Sequence, residues 1–517
     1  MLKHIKKCIL KRNIMGIFTV CLGFIICLSP SKVLAADSDI DVSFINTVDK
    51  VMINKNQRFN INLCNKSGEE KQCKLIVSMF NDKDKCLNKV SFSESIKPTE
   101  SKDYTCYMKV PAKANCIKIW VEDEKNNGKR LSQEKYLSTN GQGGNDSKDD
   151  PKEDQKNDKE VVVFADKGLE SAVRQSIDKP TGTITRGDVK NLKNLVPINY
   201  GIMEIENLTG IEYLESLEVL DIDYMQVSDL SPVKNLKKLK WLYVAGNPIY
   251  TLKKNTFENL KALEQLGLSS CSITNIEQGA FNGLDSLHYL DLVENGISNI
   301  SPLSTISNLK SLHLDNNRIT DLTPLRNMKK LELLWIAGNK VNDISPLTGI
   351  QSLKNIKMNN NDIGSLSSLK NLINMEKLHV SGNKISSLNG IQSMSNLKEL
   401  FINQNPLTDI SAIKNLGNLE NIEIKNTLVL SDISAIASLN KLTHLDLTGD
   451  KVQDITALKE CTSLNYLWLE NNNITNIEAL RNLVNLKTLT LKGNKISDYS
   501  PVSGYYLNLK NKDFVLN

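Results

Sequence analysis

The chain is poor in the groups that carry out chemistry. It has five histidines in 517 residues, and none lies between positions 37 and 138. It contains no His-Glu-x-x-His pair, no Gly-x-Ser-x-Gly elbow and no glycine-rich phosphate loop, so metallohydrolases, serine hydrolases and nucleotide-dependent enzymes lose their usual machinery. No catalytic centre, metal or cofactor is expected. Apolar runs are also short. The longest, Ile14–Leu28, has 15 residues, fewer than a membrane-spanning helix needs. Basic charge is equally thin. The formal net charge is +5, but residues 1–35 hold six Lys and Arg and no acid. Without them the balance falls to −1, and nothing marks a nucleic-acid partner. Aromatic residues make up 5% of the chain, so their placement is informative.

Against these absences stands one pattern. L-x-x-L-x-L-x-x-N-x-I/L recurs thirteen times, starting at Leu217, Leu239, Leu263, Leu287, Leu309, Leu331, Leu353, Met375, Leu397, Leu419, Leu442, Leu464 and Leu486. The spacing is nearly always 22 residues, the mark of a leucine-rich repeat solenoid. In the turn from Leu309, Leu309, Leu312 and Leu314 alternate inward along a short strand. Asn317 then turns the chain, and Ile319, Leu322, Leu325 and Met328 complete the lining. A single turn cannot bury these side chains, whereas stacked turns share one core. The Asn position can bond the bent backbone of neighbouring turns. Met225, Cys271, Thr427 and Asp450 depart from Asn there, and Cys271 reads as core. An earlier, degraded turn is expected to start at Leu195. About 14 turns at ~4.8 Å per strand give a concave sheet of roughly 65 Å, ample for an interface of about 800 Å² per partner.

Two turns, from Leu239 and Leu263, have 24 residues and set Phe257 and Phe281 where neighbours carry a Pro corner. Both rings are expected to fill the convex side. The turn from Leu419 has 23 residues, which predicts a local irregularity at 426–431.

The chain before the repeats falls into distinct parts. Residues 1–35 read as a secretory signal, with a basic start, the Ile14–Leu28 run and the small-residue site Val33-Leu34-Ala35. Neither Cys21 nor Cys27 has a lipobox, and no span is expected in the mature chain. Residues 37–138 hold about seven alternating runs, which predict an all-β, immunoglobulin-like sandwich. Five cysteines sit there: Cys64, Cys73, Cys86, Cys106 and Cys116. Export permits disulfides, but spacing does not give their connectivity. Cys64 and Cys73 flank a turn and could face each other across a hairpin. Cys461 matches an apolar solenoid position. Residues 139–160 are a charged, flexible linker. Residues 161–194 form a helical cap, with Asp166 capping a first helix and Thr185-x-x-Asp188 opening a second. Repeats fill 195–507, and 508–517 close the stack with no sorting motif, so no wall anchor is expected there.

The combination Phe164-x-Asp166-x-x-Leu169, Ile184-Thr185-x-x-Asp188-Val189 and 22-residue turns with corners such as Asp321-Leu322-Thr323-Pro324-Leu325 resembles the internalins. These are secreted or surface leucine-rich repeat proteins of Gram-positive bacteria. The resemblance covers about 161–517. It implies a capped, curved repeat domain, and several members bind host proteins through the concave face. Internalins usually place an immunoglobulin-like module after the repeats; here it comes first.

Residues two, four and six places after each start should face out of the concave sheet. Trp241, Tyr243, Tyr289, His313, Trp335, His379, Phe401, His444, Tyr466 and Trp468 all fall at such places, including three of the four Trp. Large aromatic residues are enriched at binding hot spots. They also suit parallel strands and cover one another across turns, which would need no partner. Asp221, Asp223, Asp291 and Asp315 make the early face acidic, which favours a partner with a basic patch. The reading is a non-catalytic, secreted or surface-associated protein that holds a protein ligand, with a host cell-surface protein as one candidate. The alternative is cell-wall or glycan binding by aromatic stacking, with the β-module aiding retention. Trp241, Trp335 and Trp468 lie four to six turns apart, too scattered for one short glycan.

Overall fold

The chain divides into two compact units, Met1–Lys152 and Glu153–Asn517. The computed structural model describes residues 40–44, 56–65, 71–80, 86–96, 101–109, 116–123 and 135–138 in the first, and 158–197 and 204–516 in the second. The expected signal segment and most of the linker lie outside the described residues.

The described part of the first unit is all β. β1 (Ile40–Phe44), β2 (Asn56–Asn65) and β5 (Ser101–Lys109) form one sheet in the order β1-β2-β5. β4 (Cys86–Ile96), β3 (Lys71–Phe80), β6 (Cys116–Asp123) and β7 (Lys135–Ser138) form the other, in the order β4-β3-β6-β7. All pairings are antiparallel. Ile61 and Leu63 of β2, Leu75 and Val77 of β3 and Ile119 and Val121 of β6 alternate inward and are fully buried. The two-sheet sandwich matches the sequence reading, but one detail changes. β2 and β3 belong to different sheets, so Cys64 and Cys73 do not sit on the two arms of a hairpin. Cys73 is buried and Cys86 exposed. The side chains of Cys64, Cys106 and Cys116 lie outside the described residues.

The second unit opens with α1 (Lys167–Ile177). The Asp166 carboxylate accepts the Leu169 N–H at 2.9 Å, satisfying one of the orphan donors of the first turn. Its other oxygen takes the Glu206 N–H at 2.9 Å, which ties the helix to the first repeat. α2 (Arg186–Val189) starts at the expected capping box, with Thr185 N–H donating to Asp188 at 2.8 Å.

One parallel sheet of fifteen strands follows, from β8 (Asn194–Leu195) to β24 (Asn511–Lys512). Each of the thirteen starts read from the sequence is followed two residues later by a three-residue strand, as in β15 (Ser311–His313) and β16 (Leu333–Trp335). Leu312 lies opposite Leu334, and this register holds across the repeats. The convex side turns on short 3-10 segments, with Pro324 and Pro346 at their starts. The first turn corrects the sequence register. Leu195 pairs with Leu220, the fourth position of its turn, so the degraded turn begins at the buried Leu192, not at Leu195. The last strand, β24, adds a turn beyond the expected end. Leu509 fills the core, and Lys512 lies opposite Leu489.

The two long turns replace the 3-10 corner with a second, parallel pair, β11 (Thr251–Leu252) and β13 (Asn275–Ile276). Phe257 and Phe281 are buried beneath it with ring centroids 6.3 Å apart.

The Asn column forms a hydrogen-bonded ladder. Asn317 Nδ2 donates to the carbonyls of Leu292 at 2.9 Å and Leu314 at 3.0 Å, while its Oδ1 accepts the Ile297 N–H at 3.0 Å. Asn339, Asn361, Asn383, Asn405 and Asn472 repeat the scheme on their own neighbours. Cys271 replaces the amide with a thiol that contacts the Val244 carbonyl at 3.1 Å, and burial pushes that thiol up to about 12. Cys461 is buried as core too.

The residue seven places after every start has positive φ, from Tyr224 to Gly493. Asn and Gly dominate there because they tolerate this conformation. At Gly338, φ is +67° and an added Cβ would lie 2.3 Å from Asn316 Oδ1. Gly338→Ala is therefore expected to lower stability by about 1–2 kcal/mol, the scale of left-handed strain. Chemical denaturation checks this, and an unchanged midpoint would refute it.

Candidate partner-binding face

Strand alternation sends one set of side chains into the shared core and the other to the concave surface. All ten aromatic and histidine residues singled out from the sequence sit at concave places. They form local clusters because neighbouring strands are close enough for rings to meet. Tyr289, His313 and Trp335 run across three turns, with centroids 5.2 and 4.8 Å apart. His379 stacks on Phe401 at 4.2 Å. His444 stacks on Tyr466 at 4.4 Å, and Tyr466 lies 6.0 Å from Trp468. Tyr243 donates its hydroxyl to Gln265.

This mutual cover corrects the expectation that all ten are exposed. His313 is 0% exposed, Tyr243 7% and Tyr466 8%. Trp241, Tyr289, Trp335, His379, Phe401, His444 and Trp468 are half-buried. His313 is held between two rings and meets the Ser311 hydroxyl at 2.8 Å. Burial, with Lys357 nearby, drives its pKa well below the ordinary value, so its ring stays neutral.

The acidic early stretch also changes character. Asp221, Asp223, Asp291 and Asp315 are buried. Asp223 accepts the Ala245 N–H at 2.7 Å, and Asp291 accepts the Val293 N–H at 2.9 Å. Asp315 takes the Ala337 N–H at 2.6 Å and Lys357 at 3.1 Å. Burial raises its carboxyl and Lys357 opposes the shift. These carboxylates serve the backbone at strand ends, so the face gives little support for a partner chosen by a basic patch.

Several further residues shape this surface, and of these Glu399, Tyr224 and Tyr250 escaped the sequence reading. Lys357 is bonded to Asp315, and its Nζ lies 4.7 Å from the Trp335 ring centroid. Glu399 bridges Lys377 at 2.7 Å and His379 at 3.3 Å. Burial works against its charge, but His379 and Lys377 hold the carboxyl down at about 2. Lys425 joins Asp446 at 3.1 Å. Tyr224 and Tyr250 are more than half exposed with φ near +60°. A tyrosine at the Asn/Gly place of the repeat is the signal that would have found Tyr224.

Among the described residues, no group of three or more His, Cys, Asp or Glu is placed to hold a metal. No helix there is long and apolar enough to cross a membrane.

Family models described as leucine-rich repeats match residues 285–327, 307–349, 373–415 and 462–504, with a further match at 265–304. No curated protein matches the chain. Among solved structures, an internalin (inlF) from Listeria monocytogenes is 30% identical with a TM-score of 0.57. The match covers 69% of this chain and 97% of that one. The chain belongs to the internalin family. A second internalin, InlJ from Listeria monocytogenes, shares the fold at 22% identity and a TM-score of 0.54, over 66% of this chain and 76% of that one. The InlJ domain is described as including a cysteine ladder. The internalin here builds its ladder from asparagine, with Cys271 as a lone thiol rung. As an internalin it is a non-catalytic repeat protein, secreted or associated with the cell surface.

Proposed function

We propose that this internalin is exported by residues 1–35 and captures a protein partner on the concave face of its repeats, with a host cell-surface protein as the first candidate. The observation that carries this reading is the row of half-buried rings at Trp241, Tyr289, Trp335, His379, Phe401, His444 and Trp468. Rings that keep an open face and a fixed position lose little entropy when a partner covers them. Tyr243, His313 and Tyr466 belong to the same surface as buried supports that fix their neighbours' orientation. Long separation between the three tryptophans favours an extended protein surface over one short glycan.

The test compares the full chain with Trp241→Ala/Trp335→Ala/Trp468→Ala for binding to epithelial cells and to purified bacterial cell wall. Loss of cell binding with folding retained supports the reading. Unchanged binding overturns it, and competition by free sugars would replace the protein partner with a glycan.

A further inference from the structure

The ladder of asparagines is broken at Asp450 by a carboxyl. In the turn from Leu419 the Asn place holds Thr427, and in the next turn it holds Asp450. Asp450 Oδ1 accepts the Thr427 N–H at 2.9 Å and the Thr427 hydroxyl at 2.6 Å. Thr427 Oγ1 in turn accepts the Leu430 N–H at 3.1 Å, so the hydroxyl relays a bond that an Asn rung makes directly. Oδ2 of Asp450 is buried with no hydrogen-bond partner.

That oxygen stands where every intact rung carries a donor. Asn472 Nδ2 gives its hydrogens to Leu447 O at 2.7 Å and Leu469 O at 3.2 Å. By the register, which pairs Ile422 with Leu445, the carbonyls that correspond at Asp450 to those an intact rung bonds are Ile424 O and Leu447 O. A carboxylate there meets carbonyl oxygens with like partial charge, whereas a carboxylic acid donates to one of them as the amide would.

The loop fastened by this rung is the irregular one. Leu428 has φ +65° and is 64% exposed, and Val429 is 42% exposed. We propose that Asp450 makes the rim loop 426–431 a proton-dependent element of the solenoid, fastened while the carboxyl carries a proton and loosened when it ionises.

The surroundings agree with this assignment. Burial raises the Asp450 carboxyl to about 6, outweighing the bonds from Thr427 and the Leu428 N–H that oppose the shift, and Asp446 adds to it. Of the charged groups on the packed elements, Lys425 of the preceding turn is engaged by Glu423 at 3.7 Å and Asp446 at 3.1 Å. Lys451, next in the chain, is exposed. Glu470 of the following turn accepts the Thr448 hydroxyl at 3.1 Å. None of these bonds Oδ2. The raised carboxyl binds its proton more tightly in the folded state. Its stabilisation is therefore complete below about pH 4, the ordinary carboxylate range, and is lost as pH rises through about 6. Buried His313 contributes with the opposite sign as pH falls below its ordinary range, and it does so equally in a variant at position 450.

Hydrogen exchange of peptides spanning 426–431 in the full chain, compared at matched pH between the native protein and Asp450→Asn, tests the proposal. Matching the pH cancels the intrinsic chemistry of exchange. At pH 4 the two should exchange alike. At pH 8 the native loop should exchange faster by up to about a hundredfold, the equilibrium shift carried by about two pK units. A ratio that stays constant from pH 4 to pH 8 would overturn the proposal. So would a native loop better protected than the variant at pH 8, or a variant that melts below the native protein there.

Discussion

Asn339→Ala is expected to lower the stability of the repeat unit by about 2 kcal/mol, the scale of one buried N–H left without a partner together with two weakened carbonyl bonds. Asn339 is 8% exposed. Its Nδ2 donates to Leu314 O at 2.9 Å and Ile336 O at 3.1 Å, and its Oδ1 accepts the Ile319 N–H at 2.9 Å. Alanine leaves the Ile319 N–H without a partner at the seam between adjacent turns, while the Leu314 and Ile336 carbonyls each lose one bond and keep those from Asn317 Nδ2 and Asn361 Nδ2. The lost bonds join one turn to its predecessor, so the damage falls on the nearest-neighbour coupling that makes a solenoid cooperative. Chemical denaturation should show a lower midpoint, and a broadened or split transition if the stack uncouples at that turn. A loss below about 0.5 kcal/mol, the range of ordinary surface substitutions, would mean that the rung is not an energetic joint. Asn339→Asp is the informative companion, since it recreates at an intact rung the situation found at Asp450.

The period of the apolar positions was enough to locate all thirteen full strands. Each leucine must return to the same core, and an error of one residue would expose the whole set. The convex phenylalanines and the irregular loop after Asn426 were legible for the same reason: a change in turn length has to be absorbed outside the strand. The ends were less legible. At the first turn Pro197 stands where the third leucine belongs, and the pattern alone did not separate Leu192 from Leu195 as its start. At the last, Lys512 replaces a leucine and hides a strand. Sheet membership of β2 and β3 depends on which strands meet in space, so adjacency of Cys64 and Cys73 in the chain misled. On the concave face, alternation gave the side from which each ring projects. It could not give the cover supplied by the next turn, and that cover makes His313 a buried support flanked by Tyr289 and Trp335.

That difference between supports and open rings shapes the expected loss of binding. Truncating Trp241, Trp335 and Trp468 together should weaken partner binding by at least about a thousandfold, since each central aromatic anchor is worth about 2 kcal/mol or more and such losses are not additive. The three sites do not carry equal structural cost. Trp335 covers His313 and offers its face to Lys357, so alanine there uncovers a buried imidazole and disturbs the Lys357–Asp315 pair. Trp468 stacks on Tyr466 and Trp241 lies opposite Gln265, and both remain half-buried. Trp241→Ala/Trp468→Ala should therefore retain the native melting temperature within a few degrees while binding at least about a hundredfold more weakly. Trp335→Ala should lose stability and affinity together. If the double variant binds like the native protein, the concave rings exist to cover one another and the partner sits elsewhere on the repeats. If all three substitutions lower affinity only in proportion to lost folding, the same conclusion holds.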